Sequence, residues 1–215
     1  MAVGRDRIVS EALLLLDEVG IDKLSTRKLA ERLGVQQPAL YWHFRNKSEL
    51  LDAINSEMLL RYHNDRLPKP GQDWVSFTLA NARSIRKTLL SVRDGARLTA
   101  GTRPSVAEFA DAECVLRLYV DAGFSPEEAF GIAICVTRYV VGYVLEEQGE
   151  HERERVDQNM PKTDFVTEVA PFPLLAKALE TFHVVGTVNT EAVFESGLAY
   201  LLAGMQEKLR AKQVA

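Results

Sequence analysis

Apolar residues recur at helical spacing along almost the whole chain. Ile8, Ala12, Leu15, Leu16 and Val19 mark one face of a first helix, and Gly20 is a natural stop. Ser25 can cap a second helix running to about Leu33, with Gly34 making the turn. Gln37-Pro38 opens a short third helix ending near His43 or Phe44, Pro38 standing where its missing N–H costs nothing. Asn46 followed by Glu49 has the form of a capping box, and Leu50, Leu51, Ile54 and Met58 continue that fourth helix to about residue 66. Pro68–Gly71 is the clearest break. Further helices are expected over Trp74–Leu90, Val106–Ala122 and from Ser125-Pro126-Glu127-Glu128 to about Gln148, with a short irregular piece between Gly95 and Pro104. Residues 149–164 are charged and aperiodic and read as a loop. Pro171 and Pro173 precede a short helix through Phe182, and an amphipathic helix over about 189–210 completes the pattern. No strand alternation and no repeat occurs, so the expected class is all-α.

The composition is that of a globular protein: 215 residues, 47% hydrophobic, 26% charged, net charge −4. Residues 1–50 hold 8 basic and 7 acidic side chains, so the N-terminal part is less acidic than the rest. Cys114 and Cys135 form no CxxC pair and lie in apolar helical patterns, which predicts buried reduced thiols. Arg5, Asp6 and Arg7 precede an interrupted apolar stretch, not a secretory signal. The most apolar run, Ala129–Leu145, contains Arg138 and reads as a core or interface helix, not a membrane span. A cytoplasmic protein with no membrane partner is therefore expected.

Three short helices within fifty residues, with Gly34 between the second and third, suggest a helix-turn-helix. The second helix of such a motif lies in the major groove and needs donors, acceptors and apolar surface on its outer face. Gln37, Pro38, Tyr41 and Trp42 fall on one arc of that helix, while Leu29, Ala30, Leu33, Val35 and Leu40 supply its core. Core packing is the alternative for the two aromatics, but a helix of two turns that already buries Leu40 cannot turn all three inward. Thr26, Arg27 and Lys47 begin the flanking helices, where backbone N–H groups favour phosphate.

The run Thr26 to Lys47, and above all Leu40-Tyr41-Trp42-His43-Phe44 with Asn46-Lys47, closely resembles the DNA-binding domain of the tetracycline-repressor (TetR) family. His63, Trp74, Asn81, Arg93–Ala96, Gly101–Pro104, Gly123–Ser125 and Val144–Glu146 extend the resemblance to about residue 148. It implies a homodimer with a helix-turn-helix DNA-binding domain, residues 1–48, and a larger effector-binding and dimerisation domain, residues 49–215. The helix of about 46–66 links the two. The resemblance implies DNA contacts by Thr26, Arg27, Gln37, Pro38, Tyr41, Trp42, His43 and Lys47. It places His63, Asn81, Ile85, Thr99, Thr102, Arg103, Pro104, Val115 and Glu146 at the effector, with dimerisation through the helices of about 126–148 and 189–210.

Tetracycline repressors bind the drug as a magnesium chelate, and here the sequence departs from them. Thr99 stands where the family's metal-ligating histidine would be, Val115 replaces an amide and Ile85 an aromatic wall. A neutral hydroxyl replaces imidazole poorly as a metal ligand. The expected effector is therefore an aromatic or polycyclic molecule held without metal, magnesium being disfavoured. A buried polar pair is the alternative for His63 and Asn81, and a solvated loop for Glu150-His151-Glu152; His183 stands alone. No Gly-rich phosphate loop, helical carboxylate pair or Ser/His/Asp set points to an enzyme. The expectation is a ligand-released repressor on a palindromic operator, with an effector-free regulator or an activator as alternatives.

Overall fold

The structure, a computed structural model, describes residues 3–156, 168–184, 187–188 and 190–214. Its helices are α1 (Arg5–Val19), α2 (Thr26–Leu33), α3 (Pro38–Tyr41), α4 (Lys47–Tyr62), α5 (Trp74–Leu90), α6 (Gly95–Thr99), α7 (Phe109–Asp121), α8 (Pro126–Val156), α9 (Pro173–Phe182) and α10 (Thr190–Val214). A 3-10 turn, Val106–Glu108, leads into α7, and His183–Val184 pairs antiparallel with Thr187–Val188 in a minimal hairpin. The all-α class holds. The chain divides into two compact units, Met1–Gln148 and Gly149–Ala215.

The helix ends in the first unit follow local chemistry. Ser25 Oγ accepts from the Lys28 N–H at the start of α2, and Gly34, in the left-handed region at φ 66°, closes it by donating to Ala30 and Glu31 carbonyls. The Asn46 side chain caps α4 through the Glu49 N–H (2.9 Å), while the Glu49 carboxylate reaches back to the Arg45 N–H, one residue beyond the expected capping box. Asp73 caps α5, and Ser125 and Glu128 form a reciprocal pair at α8. Ile8 and Leu16 of α1, Leu29 of α2, Ile54 and Met58 of α4 and Phe77 and Leu89 of α5 are fully buried. Removal of such side chains from water is the main source of stability.

A polar joint ties the α1–α2 turn to the corner between α5 and α6. The Arg93 N–H donates to Asp17 (2.8 Å), the Ile21 N–H to Asp94 (2.9 Å), and Arg97 forks onto Asp22 at 2.8 and 2.9 Å. The corner is sterically exacting: Asp94 is left-handed at φ 58°, and a Cβ on Gly95 would come within 2.3 Å of the Leu89 carbonyl oxygen.

Five sequence expectations change. The fourth helix ends at Tyr62, with His63 closing it, and not near residue 66. The third helix ends at Tyr41, and Phe44 and His43 instead close a turn onto the Leu40 carbonyl. The Gly95–Thr99 segment is a helix, not an irregular piece. Helix α8 continues through 149–156, part of the expected loop, because Glu and Arg are good helix formers even where no apolar stripe marks them; residues 157–164 lie outside the described residues. Cys114 and Cys135 are exposed, not buried: they occupy outward faces of α7 and α8, whose apolar patterns are wider than the inward face needs. Among the described residues α8 alone is long and apolar enough to cross a membrane by length and composition, and Arg138 lies within it.

In the second unit, α9 and the hairpin precede α10, which buries Phe194, Leu198, Leu202 and Met205 at helical spacing. The His183 side chain lies outside the described residues.

Candidate DNA-reading surface and effector region

The α2–turn–α3 unit buries Leu29, Ala30, Leu33 and Leu40 and turns the opposite side outward. Leu40 is 2% exposed, whereas Tyr41 is 51% and Trp42 88% exposed. An apolar ring so fully in water is unfavourable in an isolated chain and suits a surface that meets a partner. Gln37 lies between Thr26 and Tyr41: its Nε2 donates to Thr26 Oγ1 at 2.8 Å and lies 3.4 Å from the Tyr41 hydroxyl. The structure thus brings Thr26, Gln37 and Tyr41 together. Pro38 is the exposed first residue of α3, and His43 is half-buried. Arg27 is exposed beside Glu31 (3.4 Å), an ion pair of little energetic weight. Lys47 is exposed at the first position of α4, beside the Asn46 cap. The far end of the reader is fixed by Phe44, buried under the Arg5 guanidinium at 4.9 Å.

At the other end of α4, His63 terminates the helix and is 7% exposed. Its hydrogen bonds define its tautomer. The Asn81 amide nitrogen lies 3.0 Å from the Asp65 carbonyl oxygen, which only accepts, so the same nitrogen also faces His63 Nε2 at 3.1 Å. Nε2 therefore accepts, and the ring proton sits on Nδ1, 2.8 Å from Ser84 Oγ. Burial pushes the imidazole down to about 4, which keeps it neutral near pH 7. His63 and Asn81 thus form a satisfied polar pair, and the Asn81 carbonyl takes no hydrogen bond among the described residues. Ile85 is buried one turn along α5, and Val115 is half-buried on α7.

Thr99 ends α6 with its hydroxyl turned to α4: Oγ1 donates to Asn55 Oδ1 at 2.7 Å, with the Gly95 carbonyl 3.0 Å away. Thr102 is half-buried and donates to the Thr99 carbonyl, while Arg103 and Pro104 are exposed. Glu146 is exposed, whereas its neighbour Glu147 is buried and accepts from Arg86 at 2.6 and 2.9 Å. A magnesium ion fits this set poorly. The position that would ligate it directly carries a neutral oxygen already lodged against Asn55. Glu150, His151 and Glu152 are exposed along α8.

Several residues that build this region were not singled out by the sequence: Asn55, Ser84, Arg86, Glu147 and Gln148. Ser84 follows Asn81 by three positions and so shares its helical face, the one signal that could have found it. Gln148 donates to the Leu89 and Val92 carbonyls and accepts from the Ala96 N–H, holding the end of α5 to the start of α6.

Residues 8–54 match the model of the bacterial regulatory proteins of the tetR family, and residues 67–209 the tetracyclin repressor-like C-terminal domain. The chain is 46% identical over 202 residues to the class A tetracycline repressor protein from transposon 1721 of Escherichia coli, covering 94% of this chain and 89% of the relative. It is 47% identical over 213 residues to the class G protein of Vibrio anguillarum, covering 99% and 98%. Among solved structures, a TetR variant from Acinetobacter baumannii AYE in complex with minocycline superposes with a TM-score of 0.78 at 40% identity, covering 96% of this chain and 98% of that one. A class A TetR with 5a,6-anhydrotetracycline and magnesium gives 0.72 at 38% identity, covering 93% and 96%.

Proposed function

The chain belongs to the tetracycline-repressor (TetR) family and is a ligand-responsive DNA-binding repressor, and we propose that an aromatic or polycyclic molecule bound without metal releases it from its operator. The observation that carries the effector reading is Thr99: a hydroxyl held by Asn55 stands where a metal-binding imidazole would be needed. The neutral His63, the Asn81 carbonyl and the apolar Ile85 and Val115 suit an uncharged ring system with a hydrogen-bond donor at one end.

The repressor acts as a homodimer, since two reading heads must reach successive major grooves ~34–36 Å apart. Exposed apolar Phe130 and Leu145 on α8, and separately Tyr200 on α10, suit the dimerisation role expected of each helix. Gln37, Pro38, Tyr41 and Trp42 would meet base edges, and Thr26, Arg27, His43 and Lys47 the flanking backbone. Residues 1–48 serve as the reader and 49–215 as the effector and dimerisation region, in a cytoplasmic regulator without catalytic turnover. Helix α4 connects the two functions. At sixteen residues it is ~24 Å long, so a tilt at the His63 end displaces Lys47 appreciably. An effector shifts the balance only by binding one head spacing better than the other.

The test is fluorescence anisotropy of the protein on a duplex from its own upstream region, at fixed salt. Tetracycline with magnesium is expected to leave the complex bound, and metal-free polycyclic aromatics to release it. Release by tetracycline that EDTA abolishes would overturn the metal-free reading.

A further inference from the structure

Arg5 stands on the inward stripe of α1. Ile8, Val9 and Ala12, three, four and seven positions on, are all buried, and Val3 before it is buried as well. The stripe thus ends on a cation at the edge of the core, in a helix start that is anchored from both sides. The Arg5 guanidinium lies over the Phe44 ring, 4.9 Å from its centroid, while the residue as a whole is exposed. Among the described residues no carboxylate forms an ion pair with it. Stacking occupies one face of the planar guanidinium and leaves its edge N–H donors free. It also restrains a long side chain before any partner arrives, which lowers the cost of ordering it on binding. The ring beneath is itself fixed, at 4% exposed. Phe44 directly follows His43, and the exposed Arg45 and Lys47 come next in the chain.

We propose that Arg5 is a further DNA contact, supplied by α1: Phe44 holds the guanidinium at the rim of the reading surface, and its free edge pairs with a backbone phosphate of the operator in each half-site. The proposal rests on the reading of α3 and its flanks as the DNA surface. It extends the phosphate-facing perimeter, so far drawn from the starts of α2 and α4, to the first helix. Both the stack and the two-pronged fork onto phosphate oxygens suit arginine better than lysine. Such a contact strengthens and orients binding but reads no base.

Arg5→Gln removes the charge at an exposed position and leaves the core as it is. Parent and variant are titrated by anisotropy onto the upstream duplex and onto an unrelated duplex of equal length, over a series of salt concentrations. Arg5→Gln is expected to weaken both complexes alike, about fivefold at fixed salt, and to lower the salt slope by ~1.8, about 0.9 for each head of the dimer. Arg5→Lys keeps the charge but stacks and forks less well, and is expected to restore the slope with only part of the affinity. A salt slope equal to the parent's in Arg5→Gln would overturn the proposal, and a lowered melting temperature beside it would make Arg5 a support of Phe44 only. A loss confined to the upstream duplex, or a Lys variant with the slope of the Gln variant, would overturn it as well. Should Arg5→Gln fail to fold, Arg5→Met, which keeps an apolar stem on the ring, carries the same criteria. Trp42→Ala on the same duplexes separates the two readings. Lost operator affinity there beside an unchanged slope in Arg5→Gln refutes this proposal alone, whereas unchanged affinity in Trp42→Ala refutes the reading surface on which it rests.

Discussion

The two ends of α4 use the same kinds of residue in opposite ways. At the Lys47 end, aromatic rings stand in water: Tyr41 and Trp42 are exposed, and the apolar surface is held ready for a partner. At the His63 end, polar groups stand out of water: the imidazole, Asn81 and Ser84 satisfy one another within the protein. Each arrangement costs stability when unpartnered, since exposed rings forgo burial and buried polar groups tolerate no lost hydrogen bond. The cost sits where recognition happens. In the function proposed above, the reader would recognise by presenting a surface, and the interior by offering an almost saturated polar wall.

The largest test of this contrast lies in the interior. His63 titrates near its ordinary value when unfolded and near 4 when folded, so above pH 6.5 both states are neutral and the group contributes no pH dependence. As pH falls from 6.5 towards 4 the unfolded chain takes the proton first, and stability drops by up to ~3 kcal/mol. His63→Gln should remove that part of the slope, seen as parent and variant urea midpoints that converge as pH falls at fixed protein concentration. A parent–variant difference constant across the window would sink the assignment. On the surface, Trp42→Ala should weaken operator binding by about 1–2 kcal/mol, roughly tenfold, by loss of base-edge contact. Its melting temperature should stay put, because an exposed ring contributes little to the fold; a shift in melting with unchanged affinity would reverse its role. Lys47→Ala should have the smallest effect, weakening specific and nonspecific duplexes alike and lowering the salt slope by ~1.8, about 0.9 for each head of the dimer. Unequal loss on the two duplexes would make Lys47 a base reader instead.

The reader was legible in the sequence because its signals are local. Ser25, Gly34, Pro38 and Asn46 each act within a few residues, and Leu40 beside Tyr41 and Trp42 already implies that part of α3 faces outward. The effector end is built across the chain. Thr99 meets Asn55 over 44 residues, Ser56 meets Glu108 over 52, and Asp94 meets Ile21 over 73. Such contacts carry no periodicity, so Thr99 read only as a missing ligand and Asn55 not at all. The extension of α8 was hidden for the opposite reason: Glu150, Glu152 and Arg153 favour helix but bury nothing, and a search for apolar stripes passes over them.

The joint between the α1–α2 turn and the α5–α6 corner bears on how such proteins can be recombined. Asp17 and Asp22 belong to the head, whereas Arg93, Asp94 and Arg97 that meet them lie beyond residue 48, inside the same compact unit. Gly20 adds a steric condition, for a Cβ there would sit 2.9 Å from the Asp94 carboxylate. The head is thus not a free cassette. A chimera that exchanges operator preference by transplanting residues 1–48 inherits two acids and a glycine shaped to a foreign corner. A graft that carries residues 93–97 along with the head keeps both halves of the joint from one parent.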